Sequence, residues 1–214
     1  MGNLRLRVRL AVLAVVAAAV AAPAAGAGLI GSVPIVGGAV APNCGKGAQV
    51  FAPWGDYATY YPVQNGGLES GSSGWTLTGG ASVVRGNEPF YISGPGAYSL
   101  SLPSGSTATS PATCIGTANL FIRMLGIDAG GRDSGLRIRV IFRGGLLSSV
   151  LGVFDFRTTP PTGTWQPTLP TLSLGSLGIP LGSQSMQIQL SPVGSGSAWR
   201  IDDLYVDPWA NGIV

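Results

Sequence analysis

The sequence predicts an all-β chain folded as a β-sandwich or jelly roll, on three observations. The first is punctuation: Gly at 34 and Pro at 16 of 214 residues argue against long helices, because each is costly inside one. The second is alternation. Leu136, Ile138, Val140 and Phe142 alternate with Arg137, Arg139, Ile141 and Arg143, and Met186, Ile188 and Leu190 alternate with Gln187 and Gln189. That is the period of a half-buried strand. The third is spacing, since runs of Val, Ile, Leu, Thr and aromatics recur between Gly/Ser/Pro turns, as a sandwich requires. The regular alternation also sets the chain apart from a disordered one.

Eight runs read as strands: Trp75–Thr78, Ser82–Arg85, Tyr98–Leu102, Leu120–Leu125, Leu136–Arg143, Leu151–Phe156, Gln184–Leu190 and Trp199–Val206. A short extra strand over Gly163–Gln166 is expected inside a long Pro/Leu/Gly-rich connection, Thr162 to Gly182. No internal repeat stands out.

The N-terminus reads as an export signal. Arg5, Arg7 and Arg9 precede an apolar run from Leu10 to Val20, and Ala25-Gly26-Ala27 fits a small-residue cleavage site. The run falls short of the ~20 residues that span a bilayer. No cysteine at its end could accept a lipid, and no second apolar segment closes the chain. A secreted, extracellular product without a stable membrane anchor is expected. The organisation is therefore a signal peptide over 1–27, an N-terminal arm over 28–63, a sandwich domain over 64–209 and a tail over 210–214.

Cleavage changes the charge. Three of the 12 Lys+Arg residues leave with the leader, so nine bases balance nine acids. A nucleic-acid surface needs clustered base. Arg137, Arg139 and Arg143 come nearest, but Arg137 and Arg139 share one strand face, which reads as a solvated sheet face. No nucleic-acid partner is expected. The two cysteines, Cys44 and Cys114, suggest a disulfide in an exported chain, with two free buried thiols as the alternative.

Two stretches frame the β-rich region. Asn65-Gly66-Gly67-Leu68-Glu69, followed by Gly/Ser and Trp75, opens it; Trp199-Arg200-Ile201-Asp202-Asp203-Leu204-Tyr205-Val206-Asp207 closes it. This pairing resembles the galactose-binding-like jelly rolls, among them many carbohydrate-binding modules attached to secreted glycosidases. The run from about 43 to 209 also resembles a group of secreted proteins common in actinobacteria. The matching stretches there are Trp54-Gly55-Asp56-Tyr57, Gly86-Asn87-Glu88-Pro89, Ser99 to Pro103, Trp165-Gln166-Pro167 and Ser191 to Gly194. The resemblance implies a jelly roll whose framing carboxylates meet at one end around a structural calcium ion.

Calcium takes six to eight oxygen ligands, carboxylate and carbonyl alike. Glu69 is the expected opening ligand, with Asp202 or Asp203 on the closing strand. Period two puts those two aspartates on opposite faces; Asp202 is favoured as the inward one, and the opposite parity stays open. Hydrogen bonds to turn amides, or an arginine partner, would explain the same acids without a metal.

Catalysis is not expected. The chain has no His, which removes a Ser-His-Asp triad, a His-ligated zinc and a base for a catalytic thiol. Two carboxylates flanking a cleft remain the one enzymatic alternative, a glycoside hydrolase. Sugar binding instead needs exposed rings with polar groups beside them. The candidate rings are Trp54, Tyr57, Tyr60, Tyr61, Phe90, Tyr91 and Trp165, of which Trp54, Tyr57, Tyr61 and Trp165 are taken as ligand-binding, although the dense segment from Trp54 to Tyr61 could equally staple the arm to the domain. The leading expectation is a non-catalytic protein binding extracellular or cell-envelope carbohydrate; the rival is a structural or protein-contact surface component.

Overall fold

The computed structural model describes residues 44–115, 120–130, 133–144, 149–158, 163–170 and 183–208. The expected signal peptide, the start of the arm, most of the Thr162–Gly182 connection and the tail lie outside them. Among the described residues no helix is long and apolar enough to cross a membrane.

Apart from one 3-10 turn, Ala52–Trp54, the regular elements are strands: β1 Tyr61–Pro62, β2 Thr76–Thr78, β3 Ser82–Arg85, β4 Tyr98–Leu102, β5 Thr107–Thr109, β6 Phe121–Asp128, β7 Gly135–Gly144, β8 Ser149–Thr158, β9 Gln166–Pro167, β10 Ser183–Val193 and β11 Trp199–Asp207. All pairings are antiparallel. The first sheet runs β3-β4-β11-β6-β9, with β1 added to β11; the second runs β2-β5-β10-β7-β8. The chain is the all-β sandwich its alternation predicts.

The predicted strands reappear as β2, β3, β4, β6, β7, β8, β10 and β11, with ends shifted by a few residues. Three short strands add to them. Thr107–Thr109 has a single apolar residue and Tyr61–Pro62 holds a proline, so neither carries a pattern. The strand expected over Gly163–Gln166 is two residues, Gln166–Pro167.

Period two sorts the side chains. Ile138, Val140 and Phe142 of β7 and Ile188 and Leu190 of β10 are fully buried. They face Ile122, Met124, Ile201 and Val206 of the first sheet across one hydrophobic core. Burying each such side chain contributes roughly 1.5–3 kcal/mol, so this layer supplies most of the driving force. Cys44 and Cys114 form the disulfide, with Cα atoms 5.1 Å apart, and tie the start of the described arm to that core.

A second, smaller core lies on the other side of the first sheet. Leu125 of β6 and Tyr205 of β11 point away from the sandwich interior and are covered by Phe51, Ala58 and Tyr60 of the arm. The Phe51 ring meets Tyr60 edge-on at 4.9 Å and Tyr205 at 5.9 Å. Asp56 stitches the arm down. It pairs with the buried Arg123 guanidinium, accepts the Tyr60 hydroxyl at 2.8 Å and accepts the Ala58 amide at 3.1 Å. Arg123 also lies over the Phe51 ring, 4.5 Å from its centroid, and its Nε donates to the Thr168 carbonyl at 2.9 Å. The arm is thus part of the fold, and β1 extends it into the sheet beside β11.

Candidate functional site

The two framing motifs meet. On one edge of β11 the upper half pairs with β4 and the lower half with β1, leaving Asp202 to Leu204 between them; on the other edge the ladder to β6 breaks between Asp202 and Tyr205. The opening motif fills the gap between β4 and β1. The Val63 amide donates to the Leu204 carbonyl at 3.0 Å, and the Leu204 amide donates to the Gly66 carbonyl at 3.3 Å. A side chain on Gly66 would sit 2.6 Å from the Leu204 carbonyl oxygen, and one on Gly67 would sit 2.9 Å from Asp203 Oδ1. Backbone approach this close explains the double glycine. Asn65 shapes the rest of the loop: its side chain donates to the Gly71 and Ser73 carbonyls and accepts the Ser70 amide. Its own carbonyl accepts the Trp75 indole N–H at 3.0 Å.

The bulge corrects the parity expected for the two aspartates. Asp203 has φ of 52°, a left-handed residue that breaks the alternation. Asp202 and Asp203 are therefore both buried, at 0 and 2% exposure, and so is Glu88 at 0%. Asp202 accepts the Glu88 amide at 3.1 Å and the Asp203 amide at 2.9 Å. Glu88 accepts the amides of Phe90 and Ile92, folding the loop between β3 and β4 onto β11. Among the described residues no arginine or lysine forms an ion pair with any of the three. Burial, with Asp203 next to it, pushes the Asp202 carboxyl up to about 8, against the pull of the two amides. Burial also raises Asp203, helped by the Glu88 carboxylate and opposed by Ser93. Asp203 Oδ2 is buried without a hydrogen-bond partner.

Glu69 does not join this group. Its carboxylate is exposed and accepts the Ala97 and Tyr98 amides at 2.8 and 3.0 Å, the turn-amide alternative weighed for it. The expected pairing of Glu69 with one of the two aspartates is therefore not formed, and the buried carboxylates that lie together are Asp202, Asp203 and Glu88. Among the described residues no group of three or more His, Cys, Asp or Glu is arranged to hold a metal ion. Asp202 and Asp203 nevertheless offer hard, buried oxygens, one of them unpartnered, of the kind that calcium accepts.

The candidate rings divide. Trp54 and Trp165 are half-buried and pack against the outer core of the first sheet. Tyr57 is 67% exposed. Tyr61 packs instead against the central core. Of the other candidate rings, Tyr60 is buried, Tyr91 is exposed, and Phe90, 42% exposed, meets Trp54 edge-on at 4.9 Å. Sequence reasoning missed Arg200, whose guanidinium stands 5.8 Å from the Trp165 ring centre. Arg200 is fixed by the Arg85 and Gly86 carbonyls at 2.9 and 2.7 Å and by the Ser99 hydroxyl. The outer face of the first sheet thus carries half-exposed rings with an ordered donor beside one of them. The cleft of about 450 Å³ next to the disulfide, lined by Pro62, Gln64, Thr113 and Gln184 among others, holds no carboxylate among the described residues.

No family profile matches the chain and no curated protein matches it, so the resemblance to the actinobacterial group rests on the quoted motifs alone. The chain is similar to several solved structures at low identity. One is TmCBM61 in complex with beta-1,4-galactotriose, 18% identical with a TM-score of 0.45 over 68% of this chain and 96% of that one. Another is the C-terminal family 22 carbohydrate-binding module of Clostridium thermocellum Xyn10B, 15% identical with a TM-score of 0.46 over 72% and 99%. A third is the enzymatically active domain of bacteriophage CBA120 tailspike protein 4, 19% identical with a TM-score of 0.45 over 68% of this chain and 21% of that one.

Proposed function

We propose that the chain is an exported, non-catalytic β-sandwich protein that binds extracellular or cell-envelope glycan on the outer face of its first sheet, through Trp54, Phe90 and Trp165. The observation that carries this reading is the pairing of half-exposed rings with the fixed guanidinium of Arg200. A sugar ring presents an apolar C–H face edged by hydroxyls. It is held by an aromatic surface with a few placed hydrogen-bond groups. Because Arg200 is already ordered by two carbonyls, little freedom is lost when a ligand arrives.

The non-catalytic reading is supported by where the acids are used. Asp56 pairs with Arg123, Glu69 and Glu88 hold loop amides, and Asp128 accepts the Gly130 amide and the Ser134 hydroxyl. Export is supported by the Arg-led apolar leader and by the disulfide. A structural calcium ion at Asp202 and Asp203 belongs to the same proposal, supported by the unpartnered Asp203 oxygen. Identical melting temperatures in calcium and in chelator would remove the ion. The rival, a structural component with no sugar ligand, draws on the packing role of Trp54 and Trp165. A glycan-array screen of the mature protein with calcium present separates the two. Binding to at least one glycan class supports the proposal, and a clean blank leaves the structural reading standing.

A further inference from the structure

The arm covers the part of the first sheet's outer face around Leu125 and Tyr205. Beside it runs a row that reaches solvent. Antiparallel register sets Ser82 of β3, Ser101 of β4, Arg200 of β11 and Ile127 of β6 side by side. Their chain neighbours Val83, Leu100, Leu102 and Ile201 pack into the main core, so period two turns the whole row outward. Ser82 is exposed, and Ser101, Arg200 and Ile127 are half-buried.

Arg200 commits one of its three guanidinium nitrogens to the fold. Nη2 donates to the Arg85 and Gly86 carbonyls and to the Ser99 hydroxyl. Gly86 makes room for it: a side chain there would sit 2.7 Å from Nη2 and 3.2 Å from Nη1. Nε is buried without a partner. Nη1 likewise has no partner among the described residues, yet it is not sealed in as Nε is. Among the described residues no carboxylate forms an ion pair with Arg200. Asp202, two positions along the same strand, gives its oxygens to the Glu88 and Asp203 amides instead.

A charge withdrawn from water costs free energy unless an opposite charge meets it. Capping two carbonyls needs Nη2 alone. A fixed guanidinium with an open nitrogen and no counter-charge is a seat for an anion, which it would hold by a charge-assisted hydrogen bond. What surrounds the seat suits a sugar. The Ser82 and Ser101 hydroxyls have no partner among the described residues, and the Trp165 ring centre lies 5.8 Å from the guanidinium.

We propose that this face takes an acidic sugar, a uronic acid residue of a glycan. Its carboxylate sits on Arg200 Nη1, its hydroxyls on Ser101 and Ser82, and its ring against Trp165. The proposal rests on the glycan-binding reading of the same face and names the chemical class of the ligand. The test is isothermal titration of the mature protein at physiological salt, where long-range attraction is screened. The titrants are polygalacturonate, the same polymer with its carboxyls reduced to alcohols, and inorganic polyphosphate. Polygalacturonate should bind at least tenfold tighter than either. Arg200→Gln should bring polygalacturonate down to the level of the reduced polymer. Because that variant also uncaps two carbonyls, Ser101→Glu is the second. It sets a carboxylate directly across from Arg200, a favourable cross-strand pair, and should abolish the preference with the melting temperature unchanged or raised. Arg137→Gln, on the other sheet, should leave binding as it is. Equal binding of the two polymers, equal or tighter binding of polyphosphate, or a preference that survives Ser101→Glu would each overturn the proposal. If neutral glycans bind and the carboxyls add nothing, the acid specificity alone falls; if no glycan binds, the glycan-binding reading falls with it.

Discussion

The outer faces of the two sheets are built for opposite tasks. The first is covered: the arm lays Phe51 and Tyr60 over it, Asp56 locks Arg123 beneath them, and a loop held by Glu88 closes over β11. Among the described residues the second carries no such cover, and its Arg, Gln, Ser and Thr side chains, with Ile141 among them, are ordered through neighbouring strands. Covering a face turns its outward residues into a second core and moves surface chemistry onto the cover, where Phe90 and Trp54 meet. Leaving a face bare keeps its chemistry on the strands themselves. Substitutions beneath the cover should therefore be felt as stability, and substitutions at exposed strand positions of the second face should leave stability nearly unchanged.

The largest effect should come from stripping the cover. Phe51→Ala removes a fully buried ring that joins Tyr60, Tyr205 and Arg123, and should cost about 3–5 kcal/mol, read as a shift in urea midpoint. A loss under ~1 kcal/mol would mean that the arm merely rests on the sheet. Replacing Cys44 and Cys114 with Ser releases a closure of 70 residues and should cost about 4 kcal/mol in the chain-entropy estimate. Equal stability with and without reductant would contradict the tether.

A smaller effect comes from the acids under the cover. In the folded protein Asp202 holds its proton up to about pH 8, whereas its ordinary value is 3.8. Between these limits the folded state keeps a proton that the unfolded chain releases. In chelator, stability should therefore fall as pH rises through that window, by at most about 1.4 kcal/mol per pH unit. Asp202→Asn should flatten the profile; a profile rising from pH 5 to 8 would contradict the assignment. The smallest effect belongs to the bare face, where Arg137→Gln should change stability by no more than about 0.5 kcal/mol. A larger loss there would erase the distinction between the faces.

The strands that pack the main core were legible because each repeats an apolar residue at every second position, as Leu136 to Phe142 does. The short partners were not, since two or three residues carry no period. The junction of the framing motifs was legible as a meeting of ends, but not in its chemistry. Period two cannot sort Asp202 from Asp203 once a left-handed residue interrupts the strand. Glu88 reads as a turn residue before Pro89. Its carboxylate gathers the amides of its own loop, and its backbone amide reaches Asp202, 114 residues away; nothing local announces that reach. Arg200 likewise looks like an ordinary outward strand residue until the loop carbonyls that hold it are in place.

The central claim is that the covering aromatics of the first sheet are the glycan-binding surface. The most direct measurement is a binding isotherm for the strongest glycan-array ligand, run on the unmodified protein and on Phe90→Ala. Phe90 is exposed on one side, so its loss should weaken binding at least tenfold, about 1.4 kcal/mol or more, while the melting temperature holds. Unchanged affinity in Phe90→Ala, or no glycan ligand at all, would contradict it.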